Sequence, residues 1–349
     1  MDYSDLFDVS KDNKGNLDLS NLSVNTHVVE HESVVPSYQG DYAKAIFLWG
    51  HSKGSREIGV DSFAGYIKFE CGIADPVDFQ RKMISEGYLE EDSMAIALES
   101  LSGEQLKAIA TEVGVATSGK KIKVVERILG AADMDYLYTV SPKTCSITDK
   151  GKAFVKEHDD CVQIHRHKTF GIEWKEYEAI KRKNPNLGFS EIAERILIQR
   201  ASEDERFLGS AQYLFLSELL YEYDRPQKAT MYLLQRMYLG VNGVTKWWWI
   251  RDYVEKGYGS KKLLLENFYF GEFFNSNDAE KLRLHGEFYS TDVVDKLYTW
   301  KLPIQLCDKV LFEQMLEAVL DECFEKERFE PILRERYTKY VEALKGKYE

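Results

Sequence analysis

Between Leu101 and Leu129 the chain carries two short amphipathic stretches separated by a break that no single helix can cross. Ser102 or Gly103 can cap a first helix in which Leu106, Ile109, Ala110 and Val113 recur at helical spacing, and Gly114 stops it. Val115-Ala116-Thr117 is extended. Ser118-Gly119-Lys120-Lys121 then opens a second helix, with Ile122, Val125, Ile128 and Leu129 expected to face inward and Lys120, Lys121, Lys123 and Arg127 outward. Free amides and lysines at the start of a helix suit a phosphate.

Charge points to the same place. The chain has 349 residues and a formal net charge of −12, which argues against a protein coated in nucleic acid, since phosphate binding depends on many Lys and Arg side chains. Residues 1–100 hold 8 basic and 18 acidic side chains, 101–200 hold 17 and 14, and 201–349 hold 21 and 26. Only the middle third is basic, and within it Lys143, Lys150, Lys152 and Lys156 extend the positive character beyond the second helix.

Leu106-Lys107, Val113-Gly114-Val115, Ser118-Gly119-Lys120-Lys121 and Val125-Glu126-Arg127-Ile128-Leu129 together resemble the SAP domain, a DNA-binding helix-extended-loop-helix of about this length. Val124 and Val125 stand where leucine and isoleucine are usual, a packing change that leaves the basic loop untouched. The resemblance spans about a tenth of the chain, residues 95–131. It implies double-stranded DNA as a partner, bound non-specifically or with weak specificity, through Ser118, Gly119, Lys120, Lys121, Lys123 and Arg127. A solvated helix face in an acidic protein is the competing reading of the same charges.

Two flanking pieces are similar to parts of winged-helix proteins. Before the unit, Asp75-Pro76 predicts a helix start, Val77 to Ser85 the helix and Gly87 its left-handed end. After it, Tyr138-Thr139-Val140, a turn at Ser141-Pro142-Lys143 and Ser146 to Lys152 suit a wing-like β-hairpin followed by a helix, with Lys143, Lys150 and Lys152 near its tip or on that helix. The order of the pieces looks like the SAP-domain-containing proteins of Gram-positive bacteria and their phages, whose molecular role is unsettled.

The expected class is therefore mainly α and multidomain. Residues 1–45 form an acidic arm, 46–94 a helical unit that begins the winged-helix-like element, 95–131 the SAP-like domain, 132–170 the wing-like hairpin and helix, and 171–349 an all-helical C-terminal domain. In the last, Trp174 to Arg182 with Phe189 to Arg200, and Tyr213 to Tyr223 with Gln227 to Tyr238, make helical pairs, the second resembling a single tetratricopeptide-like hairpin. Trp247-Trp248-Trp249 and the aromatic cluster 268–274 are expected in the core rather than stacked on bases, and residues 201–349 are expected to serve protein contacts.

Catalytic motifs lack context. Gly50-His51-Ser52-Lys53-Gly54 fits G-x-S-x-G, but too little chain precedes it for the strands of an α/β-hydrolase. His27-Val28-Val29-Glu30-His31 fits a zinc pattern only on a helix, and Val28-Val29 favours an extended segment. Asp8 to Asn21 puts Lys14 and Asn21 where a calcium loop needs carboxylates. Cys145, Cys161, His165 and His167 match no metal spacing. The five cysteines, odd in number and never C-x-x-C, are expected as core thiols. With no apolar run long enough for a membrane and no secretory start, the expectation is a cytoplasmic, non-enzymatic protein with neither cofactor, metal nor membrane association.

Overall fold

The computed structural model describes residues 36–204 and 208–346. The expected acidic arm, the His27–His31 motif and the Asp8–Asn21 loop lie largely or wholly outside these. The described chain is mainly α, with one small sheet, and divides into two compact units with the boundary between His158 and Asp159. Among the described residues no helix is long and apolar enough to cross a membrane.

The first unit runs α1 (Asp41–His51), β1 (Arg56–Glu57), α2 (Tyr66–Phe69), α3 (Pro76–Ser85), β2 (Leu89–Glu91), α4 (Met94–Ser100), α5 (Gly103–Glu112), α6 (Lys121–Ala131), α7 (Met134–Val140), β3 (Thr144–Ile147) and α8 (Asp149–Glu157). Its sheet is antiparallel in the order β1-β3-β2, with Arg56 opposite Cys145 and Leu89 opposite Ile147. A run of small and large apolar residues lets α1 bury Ala43, Ala45, Ile46, Phe47 and Leu48 beneath this sheet and against α8. Asp75 caps α3 by accepting from the Asp78 amide, as the Asp-Pro pair predicts. The fully buried Gln80 then ties α3 to the sheet, accepting from Gly59 N at 3.2 Å and donating to Glu57 O at 3.2 Å. A buried amide left unpaired would cost about 1–3 kcal/mol.

The β-hairpin expected across Ser141-Pro142-Lys143 does not form there. Met134–Val140 is helical, and β3 pairs with β1 and β2, both far upstream in the chain. Alternation marks a strand without naming its partner. Strands β2 and β3 are adjacent, and the whole of α4–α7 is inserted between them. The junction is closed by Asp92 N donating to Thr144 O at 2.9 Å and Thr144 Oγ1 donating to Asp92 Oδ2 at 2.7 Å. The insertion has a core of its own, built from Leu98, Leu101, Leu106, Ile109, Ala110, Val124, Val125, Ile128 and Leu137.

Gly151, in the first turn of α8, makes the close approach of that helix to the sheet possible: a Cβ there would lie 2.4 Å from Tyr88 O and 2.6 Å from Ile147 Cγ1. Gly151→Ala is expected to destabilise the first unit by about 1–3 kcal/mol, as overpacking does, seen as a lower urea midpoint with unchanged slope. An unchanged midpoint would show that α8 can shift freely.

The second unit begins with α9 (Asp159–Arg166), α10 (Trp174–Lys183), α11 (Phe189–Glu203), α12 (Ser210–Glu222) and α13 (Pro226–Val241). It continues through α14 (Trp247–Arg251), α15 (Lys261–Glu266), α16 (Phe270–Phe273), α17 (Ser276–Leu284), α18 (Thr291–Leu297), α19 (Lys309–Leu320) and α20 (Lys326–Ala343). The pairs α10 with α11 and α12 with α13 pack as hairpins. Phe268, Phe270, Phe273 and Phe274 join the large core, whereas Tyr269 is 65% exposed. Trp247 packs against that core and Trp249 is exposed. Of the five cysteines expected in cores, Cys323 is exposed and the other four are buried thiols.

Candidate nucleic-acid interface

Ser102 caps α5 through a reciprocal pair of hydrogen bonds with Gln105, and Gly114 ends that helix at a left-handed φ of 77°. The chain then runs extended to Lys120, which precedes α6 with β-region dihedrals. Val124, 3% exposed, joins Val125 and Ile128 as the buried stripe of α6, and Ile122, expected inward, is 47% exposed. The helix starts at Lys121, so Ile122 lies in a first turn that projects from the core.

Arg127 organises the loop. Its Nε donates to Lys123 O at 2.9 Å, while Nη1 and Nη2 donate to Ala116 O and Ser118 O, each at 2.5 Å. One guanidinium thus bridges the second turn of α6 to two carbonyls of the extended segment, a task for a rigid planar fork. Gly119 lies beneath it at φ 111°, where an added Cβ would come within 3.3 Å of Nη2. Lys121 reaches back to the end of α4, its ammonium donating to Leu101 O at 2.6 Å. Lys123 pairs with Glu126 at 2.7 Å on the surface. The Lys120 ammonium has no hydrogen-bond or ion-pair partner among the described residues.

Ser118, Gly119, Lys120, Lys121, Lys123 and Arg127 are therefore gathered at one loop-helix junction. The first turn of α6 contains no acidic residue and no side chain caps it. The leading amides of any helix lack intrahelical acceptors, and here three lysines add to the positive end of the helix dipole instead of opposing it. Residues 94–140 hold five basic and six acidic side chains, so segregation of charge, not excess, marks this face. Lys143 precedes β3, exposed, with its carbonyl accepting from Ile58 N at 2.8 Å. Lys150 and Lys152 sit on α8: Lys150 donates to Glu86 O at 2.6 Å and lies over the Tyr88 ring, and Lys152 pairs with Asp149 at 3.1 Å.

Two features escaped the sequence pattern. The role of Arg127 as a loop staple rests on contacts nine and eleven residues back in the chain, which periodicity does not encode. Arg81 and Lys82, exposed on α3, would have been found by asking which face of that helix Gln80 and Met83 leave outward.

The other motifs separate. Gly50 and His51 end a helix, not a strand, so the strained serine turn of a hydrolase does not form at Ser52. His51 is buried, its Nδ1 donates to Phe47 O at 3.0 Å, and Nε2 has no hydrogen-bond partner among the described residues. Burial, opposed by that hydrogen bond and aided by the Arg56 charge, pushes its pKa down to about 4. Cys145 lies in β3 while Cys161, His165 and His167 belong to the second unit. Among the described residues no group of three or more His, Cys, Asp or Glu side chains is placed to hold a metal.

Comparison with protein-family models, curated protein sequences and solved structures found no match to this chain.

Proposed function

We propose that this chain is a non-enzymatic, double-stranded-DNA-binding protein that contacts the phosphate backbone through the junction of the extended loop with α6. The observation that carries this reading is the placing of the exposed Lys120 and Lys123 at an acid-free helix N-terminus, with Lys121 anchored to Leu101 O and the approach loop fixed in shape by Arg127. A solvated face needs no such loop staple, whereas a phosphate site needs donors already in place. The helix-loop-helix order supports the SAP-like assignment. The order α1, β1, α2, α3, β2, β3, α8 with sheet order β1-β3-β2 supports a winged-helix-like scaffold. In that reading the SAP-like unit takes the place of the wing tip. Backbone contacts without a side-chain set aimed at base edges imply weak sequence preference.

The test is anisotropy of a labelled duplex with the full chain at low and moderate salt. Binding in the roughly 10⁻⁴–10⁻⁶ M range typical of non-specific complexes is expected, weakening steeply as salt rises. No affinity at low salt ends the proposal.

A second reading, a partner protein held by the C-terminal domain, draws on one observation. Phe270, Phe274, Val319 and Phe324 floor a groove of about 790 Å³ in the second unit, with the exposed Tyr269 at its edge, and concave apolar surfaces with aromatic anchors are where partners bind.

A further inference from the structure

The first turn of α11 and the opening of α13 wall a second groove, of about 540 Å³, and its charge is arranged against the interests of the fold alone. Arg225 is the N-cap of α13 and Lys228 its third residue, in a first turn with no acidic side chain and no side-chain cap. Cations there add to the positive end of the helix dipole, which disfavours the fold. Both turn to one carboxylate, that of Glu194, which is 6% exposed: Arg225 Nη1 donates to Oε2 at 2.8 Å, and the Lys228 ammonium contacts Oε1. A third cation in the lining, Arg195, has among the described residues only a long contact of 3.4 Å with Asn184 Oδ1. The remaining acid of the lining, Glu191, is turned to the Gly188 amide at 2.9 Å. Gly188, as N-cap of α11, has no side chain to satisfy the amides of that helix. The Ser190 hydroxyl beside them has no hydrogen-bond partner among the described residues.

We propose that this groove binds a small phosphate monoester, its dianionic head between Arg195, Arg225 and Lys228 with Ser190 as a neutral donor, and its organic part against Leu187 and Ile198. Glu194 is a positioning residue: it holds two cationic side chains in place and cancels part of their charge. Bidentate guanidinium contact and a helix N-terminus are a fitting chemistry for a tetrahedral oxyanion. A duplex is disfavoured as occupant because Glu191 and Glu194 interrupt any continuous track for a phosphate chain. The inference concerns the second unit and is independent of the DNA reading.

The test is calorimetric titration of the full chain with phenyl phosphate and with inorganic phosphate, against sodium chloride at matched ionic strength. Saturable 1:1 binding is expected, tighter for phenyl phosphate. Arg195→Gln, on an exposed position, should weaken it at least fivefold with an unchanged urea midpoint. Glu194→Gln should tighten it, because two cations are released to the ligand, and the double variant Glu194→Gln/Arg225→Gln, which leaves no buried charge unpaired, should bind more weakly than Glu194→Gln. Heats equal to those of chloride, or affinity indifferent to Arg195→Gln, would overturn the proposal. So would displacement of phenyl phosphate by a duplex oligonucleotide, which would make the groove a nucleic-acid surface.

Discussion

Replacing Lys120 and Lys123 together by Glu is expected to lower duplex affinity at least tenfold at low salt and to reduce the slope of log affinity against log salt by about 2, at roughly 0.9 for each phosphate no longer neutralised. Both side chains are exposed and neither supports the core of the insertion, so the helical circular dichroism should be unchanged. Arg127 supplies the sharper comparison. If it acts by stapling the loop, Arg127→Lys, which keeps the charge but loses the fork to Ala116 O and Ser118 O, should weaken binding about as much as Arg127→Gln. If Arg127→Lys binds like the parent chain, Arg127 is merely one more positive charge. Lys150→Gln should have a smaller effect than Lys120→Gln, since the Lys150 head is already held by Glu86 O and the Tyr88 ring.

Acid should unfold the first unit earlier than its carboxylates alone require. His51 is held neutral in the fold, with its pKa lowered to about 4 by burial, against about 6.5 in an unfolded chain. The unfolded state therefore takes up a proton first. Stability is whole above pH 6.5, declines as pH falls through that value, and the loss is complete near pH 4, where the folded form also protonates. The gap corresponds to about 3 kcal/mol at 1.36 kcal/mol per unit. Urea unfolding at pH 7, 5.5 and 4.5 measures it, and His51→Leu should flatten the slope between pH 6.5 and 4.5, where most carboxylates remain ionised. Parallel slopes for the two proteins would show that the buried imidazole finds water or a partner on protonation.

What could be read from the sequence follows the range of the forces involved. Caps and stops are local, and Asp75, Ser102, Gly87 and Gly114 all do in three dimensions what their chemistry predicts. Helices α10 to α13 begin and end within a few residues of their expected bounds because Pro226 and the Asn184-Pro185 turn punctuate them. Pairing over distance was not legible. The hairpin expected from Tyr138–Val140 and Ser146 to Lys152 overlaps the real strand, Thr144–Ile147, only at Ser146 and Ile147, and the partners of that strand at Arg56–Glu57 and Leu89–Glu91 are short and carry charged residues, so nothing in their pattern announces a sheet. The same holds at the candidate interface. Its basic residues were visible as a cluster, but which of them are spent on the fold, as Lys121 is on Leu101 O and Arg127 is on the loop, emerges only from the packing of α4 and α5 against α6.

The insertion of α4–α7 between two neighbouring strands also bears on the order in which the first unit can fold. Its contacts are local in sequence, so it can form on the fast timescale of helical bundles, while β2 and β3 must find each other across some fifty residues of chain. Closing a loop of that length costs entropy as long as the loop is unstructured. Once the insertion has folded, its two ends already sit where Asp92 and Thr144 bond, and the strands meet as if joined by a short turn. The helical unit can thus act as the template on which the sheet is completed, and Ile128→Ala, in its buried core, is expected to slow completion of the sheet in refolding; an unchanged refolding rate would count against that order.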